Sequence, residues 1–287
     1  LIMPLTILMI FPMMITMNLK HLATGVKSIK LQLTTQVINF GVVPFVAFGL
    51  GQYFFPDSSY LALGLLLAAL LPTSGMTISW TGFAKGNMGE AINMTIIGLT
   101  LGSLATPLYV RYLLGAQVEM DLILVIKQII FIVFVPMFLG QIIRMALLRK
   151  YSLPEFKQQV APLMPSISSL GVLGIVFVAM ALKAQKLSSD PALLGRIFIP
   201  LFILYLFNFL LGTLVGKFFF SRGDAIALVY GTVMRNLSIA LALAINAFGT
   251  AGADAALVVA AAYIIQVQSA AWYVRLTDTL FGPPRKV

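Results

Sequence analysis

The chain has 287 residues, 60% of them hydrophobic and only 10% charged, with a mean hydropathy of +1.00, a balance that excludes an ordinary soluble domain and places the chain in a lipid bilayer. Its formal net charge of +10 does not point to nucleic acid, because the basic residues lie in short connectors between apolar runs. With no cysteine there is no disulfide, no thiolate metal site and no thiol nucleophile, and no metal or cofactor is expected.

Nine apolar segments have about the 20 residues that a helix needs to cross hydrocarbon. In chain order they are Leu1–Met17, Leu31–Phe54, Tyr60–Phe83, Ala91–Leu114, Leu122–Ile143, Val160–Leu182, Ile197–Gly216, Ala225–Phe248 and Ala255–Val274. The connectors are short, so residues 1–287 read as a single polytopic membrane domain. The first segment starts without Met and lacks the basic start and cleavage site of a signal peptide, so a further helix is expected ahead of it. Pro44, Pro136 and Pro200 read as kinks, Trp272, Tyr273 and Tyr53 as interfacial anchors, and Ala251–Tyr263 as a small-residue face for close helix packing.

Orientation follows from Lys and Arg. Thirteen lie on one side, at Lys20, Lys27, Lys30, Lys85, Arg144, Arg149, Lys150, Lys157, Lys217, Arg222, Arg275, Arg285 and Lys286, against four on the other, Arg111, Lys183, Lys186 and Arg196. The richer side is cytoplasmic and holds the C-terminus, which gives a multi-pass protein of the cell membrane. A preceding helix would make ten spans, in two fives: residues 1–114 as the rest of the first repeat and 115–287 as the second.

Two spans are interrupted at matching places. Tyr60–Phe83 contains "LPTSGMTISW", Leu71 to Trp80, and Ala225–Phe248 contains "YGTVMRNLSIA", Tyr230 to Ala240. Irregular backbone at membrane depth survives where it faces protein or a water-filled cavity, and paired broken helices mark binding sites of carriers built from inverted repeats. Two cations lie inside the spans. Lys127 is near enough to its helix end to snorkel. Arg235 is central, where a charge costs upward of about 2.5 kcal/mol, and no span contains a carboxylate to pair with it. Its guanidinium suits an anion bidentately, which is the favoured reading, the alternative being that it bonds to backbone carbonyls and holds the helix break together. Gln266 and Ser269, three residues apart, share a face that points either to a cavity or to a neighbouring helix.

The stretch "LPTSGMTISWTGFAKGNMGEAINMTIIGLTLGSLATPLYVRYLLG", Leu71 to Gly115, resembles the bile acid:sodium symporter family, and "GTVMRNLSIALALA", Gly231 to Ala244, is similar to its second crossover. The opening "MIFPMM" and Trp80 are also similar to the arsenite-efflux branch of the superfamily. The resemblance implies an all-α integral membrane fold: a ten-helix inverted-repeat transporter with panel and core domains and two crossing discontinuous helices, its first helix missing from this chain. It also implies alternating access. Sodium-coupled members carry a Ser-Asn pair after the first break and a Glu and Gln at the second; here those positions hold Thr77, Ile78, Gly231 and Arg235. The arsenite branch carries a cysteine in the first crossover, absent here, and a glutamate in the second, at Ser238.

The reading is a secondary transporter for a small organic anion, not sodium-coupled, with Arg235 standing in electrostatically for the cation. Thr73, Ser74, Thr77, Thr232, Arg235 and Asn236 are the expected substrate contacts, and Thr95, Ser238, Gln266 and Ser269 are possible ion or cavity-lining residues. The membrane lipid is the other partner; no nucleic acid is expected, and the oligomeric state is not readable. Arsenite or oxyanion efflux and ordinary sodium symport remain the alternatives. A channel also remains open, to be separated from a carrier by flux saturation. An intramembrane hydrolase on Ser74 lacks a base, because the one histidine, His21, lies in a connector.

Overall fold

A computed structural model describes residues 2–17, 28–118 and 121–283, with the side chains of Lys186 and Leu187 left out. Lys20, His21, Lys27, Arg285 and Lys286, and the side chain of Lys186, therefore lie outside the described residues. All regular elements among the described residues are helices. They are α1 Ile2–Thr16, α2 Ile29–Phe54, α3 Ser59–Leu70, α4 Gly75–Phe83, α5 Met88–Leu114, α6 Leu122–Lys150, α7 Leu153–Leu182, α8 Ala184–Ser189, α9 Ala192–Phe219, α10 Arg222–Val233, α11 Leu237–Phe248 and α12 Gly252–Phe281.

Six of these, α2, α5, α6, α7, α9 and α12, are long and apolar enough to span a membrane, and α1, α3 and α11 are shorter apolar helices. The two interrupted segments are each split into half-helices, α3 with α4 and α10 with α11. Proline sets the local form of two spans. A turn of π-helix precedes Pro44 at Val37–Val42 and Pro136 at Ile130–Phe134. A ring without an N–H that crowds the preceding turn is relieved by widening it.

The helices sort into two groups. One contains α1 packed on α6 and α7. In the other, α3 packs on α2 and α12, α9 on α10, α12 and α2, α5 on α4 and α10, and α11 on α12. Small residues make these approaches possible: a Cβ on Gly64 would lie 2.5 Å from the Ala255 carbonyl oxygen, and one on Gly171 would lie 2.4 Å from the Met9 nitrogen. Lipid offers no hydrophobic drive for helix association, so close packing must supply it. The face of Ala251–Tyr263 that contains Ala255, Ala256 and Val259 is buried in this way. Phe131, Phe138, Phe177, Phe202 and Phe218 point outward, as a lipid-facing surface requires.

One anchor is corrected. Trp272 and Tyr53 are exposed, but Tyr273 is buried, its ring on Phe209 and Tyr230 and its hydroxyl bonded to that of Thr213. Adjacent helical residues point about 100° apart, and here that turn takes Tyr273 from the exposed side of Trp272 into the contact with α9 at Phe209 and Thr213.

Candidate functional site

The two breaks cross each other. Pro72 lacks an N–H and forces Leu71 out of helical geometry, ending α3. The released backbone pairs with the second break as a short antiparallel bridge between Pro72 and Arg235. The Thr73 N–H donates to the Met234 carbonyl at 2.7 Å, and the Asn236 N–H donates to the Leu71 carbonyl at 2.8 Å. Each break thereby satisfies polar backbone of the other, which is the condition for irregular chain at this depth.

Both chains restart their helices beyond the crossing with side-chain caps. Ser74 Oγ accepts from the Met76 N–H and Thr77 Oγ1 accepts from the Ser74 N–H, a capping box opening α4. Asn236 Oδ1 accepts from the Ile239 N–H and opens α11. The Asn236 cap leaves its Nδ2 without a protein partner among the described residues. Thr73 has a φ of 66°, and its hydroxyl reaches the carbonyls of Pro72, Met94 and Thr95. The break is pressed onto α5 there: a Cβ on Gly98 would meet Thr73 Oγ1 at 2.6 Å, and one on Gly102 would meet Pro72 Cδ at 2.8 Å.

Gln266 of α12 braces the second break. Its Oε1 accepts from the Arg235 N–H at 2.8 Å and from the Tyr205 hydroxyl at 2.9 Å, and its Nε2 donates to the Arg235 carbonyl at 3.2 Å. Arg235 is 2% exposed. Its Nη1 donates to the Ala69 carbonyl at 3.1 Å and its Nη2 to the Thr232 carbonyl, while the buried Nε has no partner among the described residues.

A cavity of about 380 Å³ opens beside the crossing. One wall comes from the core group and contains Ser74, Thr95, Arg235, Asn236, Ser238 and Gln266. Of the ten residues singled out in the sequence, these six come together. The other four do not line the cavity: Thr73 faces α5, Thr77 is spent in the α4 cap, Thr232 bonds to Leu228 and Val229 carbonyls, and Ser269 to Ile265 and Gln266 carbonyls. The opposite wall comes from α1 and α7. Met13 and Met14, the end of the quoted "MIFPMM" stretch, line it with Met17, Pro165, Ser169 and Val172, and none of these is among the ten expected site residues. The serine run at Ser166, Ser168 and Ser169, inside an apolar span, was the available signal. Tyr263 completes the core wall, its hydroxyl 2.5 Å from Ser238 Oγ. Among the described residues no group of three or more His, Asp or Glu side chains is placed to hold a metal.

The arrangement presents the N-terminal ends of two half-helices to one cavity: Ser74, Gly75 and Met76 from α4, and Asn236, Leu237 and Ser238 from α11. First-turn N–H groups lack intrahelical partners and carry the positive end of the helix dipole, so both ends favour an anion. Comparison with known proteins agrees with a carrier. The sequence pattern of the Sodium Bile acid symporter family matches residues 3–190. The Uncharacterized protein YbaS of Bacillus subtilis (strain 168) is 28% identical over 207 residues, covering 72% of this chain and 66% of its own. The Arsenical-resistance protein Acr3 of Alkaliphilus metalliredigens (strain QYMF) is 24% identical, over 71% of this chain and 60% of its own. The Uncharacterized sodium-dependent transporter YocS of Bacillus subtilis (strain 168) is 26% identical, over 72% and 63%. The matched region thus spans less than two thirds of these relatives' lengths.

Proposed function

The chain belongs to the sodium bile acid symporter family, and on that premise we propose that it is a secondary transporter moving a small organic anion across the cell membrane by alternating access, without sodium coupling. The observation that carries the reading is the pair of half-helix N-termini, α4 and α11, that open on one cavity. The anion's negative group takes the first-turn N–H groups that the caps leave open, those of Gly75, Leu237 and Ser238, and the Asn236 Nδ2, with the Ser74 and Ser238 side chains beside it. Arg235 contributes positive charge at the cavity wall rather than a free fork, since two of its nitrogens are held by carbonyls. The methionines of α1 supply an adaptable apolar wall for the rest of the ligand.

Transport follows from the two walls belonging to different helix groups. Movement of α1, α6 and α7 against the crossing opens the cavity to one side and then to the other. In this reading residues 1–114 and 115–287 are the two repeats, and the C-terminus is cytoplasmic. A second reading, arsenite efflux, has the arsenical-resistance relative in its favour.

The test is a thermal-shift screen of the purified chain against aliphatic carboxylates, aromatic carboxylates, sulfonates and arsenite. A ligand that binds only the folded state raises stability with its concentration over its dissociation constant. An organic anion that stabilises, and that then shows saturable counterflow in proteoliposomes, supports the proposal. Stabilisation by arsenite alone, or by none of the compounds, overturns it.

A further inference from the structure

The hydrogen bonds of Arg235 have an origin in the geometry of the crossing. In a continuous helix the Ala69 carbonyl would accept from the N–H of Thr73, four residues on, and the Thr232 carbonyl from that of Asn236. Both donors are diverted: Thr73 pairs with Met234 and Asn236 with Leu71. The two carbonyls stranded by this exchange, Ala69 and Thr232, are the ones that Nη1 and Nη2 take up. They belong to the last turns of α3 and α10, so the guanidinium sits at the negative ends of two half-helices, buried, with no carboxylate among its hydrogen-bond partners.

Carbonyl oxygens at the ends of interrupted helices are ligands that suit a hard monovalent cation in a membrane interior. Here the position is filled by a side chain of the second break itself. The Nε, buried without a partner among the described residues, indicates that the arrangement places the positive charge at the two carbonyls rather than using every donor of the guanidinium.

We propose that Arg235 is a tethered cation: its guanidinium occupies a cation site formed by the Ala69 and Thr232 carbonyls, and its removal opens that site to free sodium. This deepens the reading of the crossing as a transport site without sodium coupling, because it names what holds the ion's place. One side chain then decides whether the crossing takes a dissociable cation or carries its own.

The experiment compares thermal unfolding of the purified full chain and its Arg235→Ala and Arg235→Lys variants in sodium, potassium and choline chloride at equal ionic strength. The wild type should unfold at the same temperature in all three. Arg235→Ala should unfold earlier in choline and recover with rising sodium, saturating as a bound ligand does. Arg235→Lys, which keeps a tethered charge, should not respond to sodium. A wild type stabilised by sodium, or an alanine variant equally stable in all three salts, overturns the proposal. If the alanine variant is recovered folded only when sodium is present, that result supports it; failure in every salt moves the decision to radioactive sodium binding by the wild type, where specific binding overturns the proposal and background binding supports it. No substrate enters this readout, so a failed anion screen and a failed cation rescue remain separate results.

Discussion

Replacing Gln266 with leucine removes the brace of the second break while keeping the approximate volume of the side chain. Gln266 is fully buried and satisfies three groups: the Arg235 N–H at 2.8 Å, the Arg235 carbonyl at 3.2 Å and the Tyr205 hydroxyl at 2.9 Å. Neither backbone group has a helical partner, because both sit in the gap between α10 and α11. An orphaned buried polar group costs about 1–3 kcal/mol. Water in the adjoining cavity can take over part of the load, which holds each loss near the lower end, so the expected total is about 3 kcal/mol. At about 2–4 °C per kcal/mol for a large chain, unfolding should fall by roughly 6–12 °C. Tyr205→Phe removes one interhelical bond of about 0.6–1 kcal/mol, and unfolding should fall by about 1–4 °C. In the Gln266→Leu background the same change should cost nothing and should recover part of the loss, since the hydroxyl it removes has already lost its acceptor. Intrinsic fluorescence of Trp80 and Trp272 reports unfolding without a thiol dye, for which this chain has no cysteine. A Gln266→Leu protein within about 2 °C of wild type, or a double variant showing the sum of both losses, would refute the brace.

Other perturbations test the packing around the crossing. Gly102→Val places a Cβ 2.8 Å from Pro72 Cδ and 3.1 Å from the Leu70 carbonyl oxygen; overpacking should cost about 1–3 kcal/mol in thermal unfolding and reduce anion binding with it. Arg144→Ala frees the Ile15 and Thr16 carbonyls at the end of α1 and leaves the Phe156 ring, 4.9 Å from the guanidinium carbon, uncovered. Hydrogen exchange should rise at residues 13–17, beside the cavity, and stay unchanged in α10. Asp254→Asn breaks a 3.1 Å ion pair with Lys183 whose side chains are 18% and 19% exposed; partly solvated pairs are worth about 0–1 kcal/mol, so unfolding should shift by no more than a few degrees.

Much of this molecule is written locally. Apolar runs of spanning length specify the bilayer, because backbone exposed to hydrocarbon must find its hydrogen bonds within the protein and a continuous helix supplies them locally. Pro72 announces the first break, since a missing N–H is a local property, and the lack of any carboxylate in the spans already marked Arg235 as a charge in need of other partners. The partners themselves were not legible. Ala69 lies 166 residues from Arg235 in the chain, and its carbonyl is free only because Thr73 pairs with Met234. Which hydroxyls face the cavity was equally a tertiary outcome: Thr73 is turned onto α5 by its left-handed backbone, whereas Ser74, one residue on, lines the space. The methionine wall comes from α1, brought opposite the crossing by its packing on α7. Composition and periodicity thus determine which solvent the chain lives in and where its helices fail; the pairing of the two failures, and the surface each residue turns to the cavity between them, depend on contacts across the whole chain.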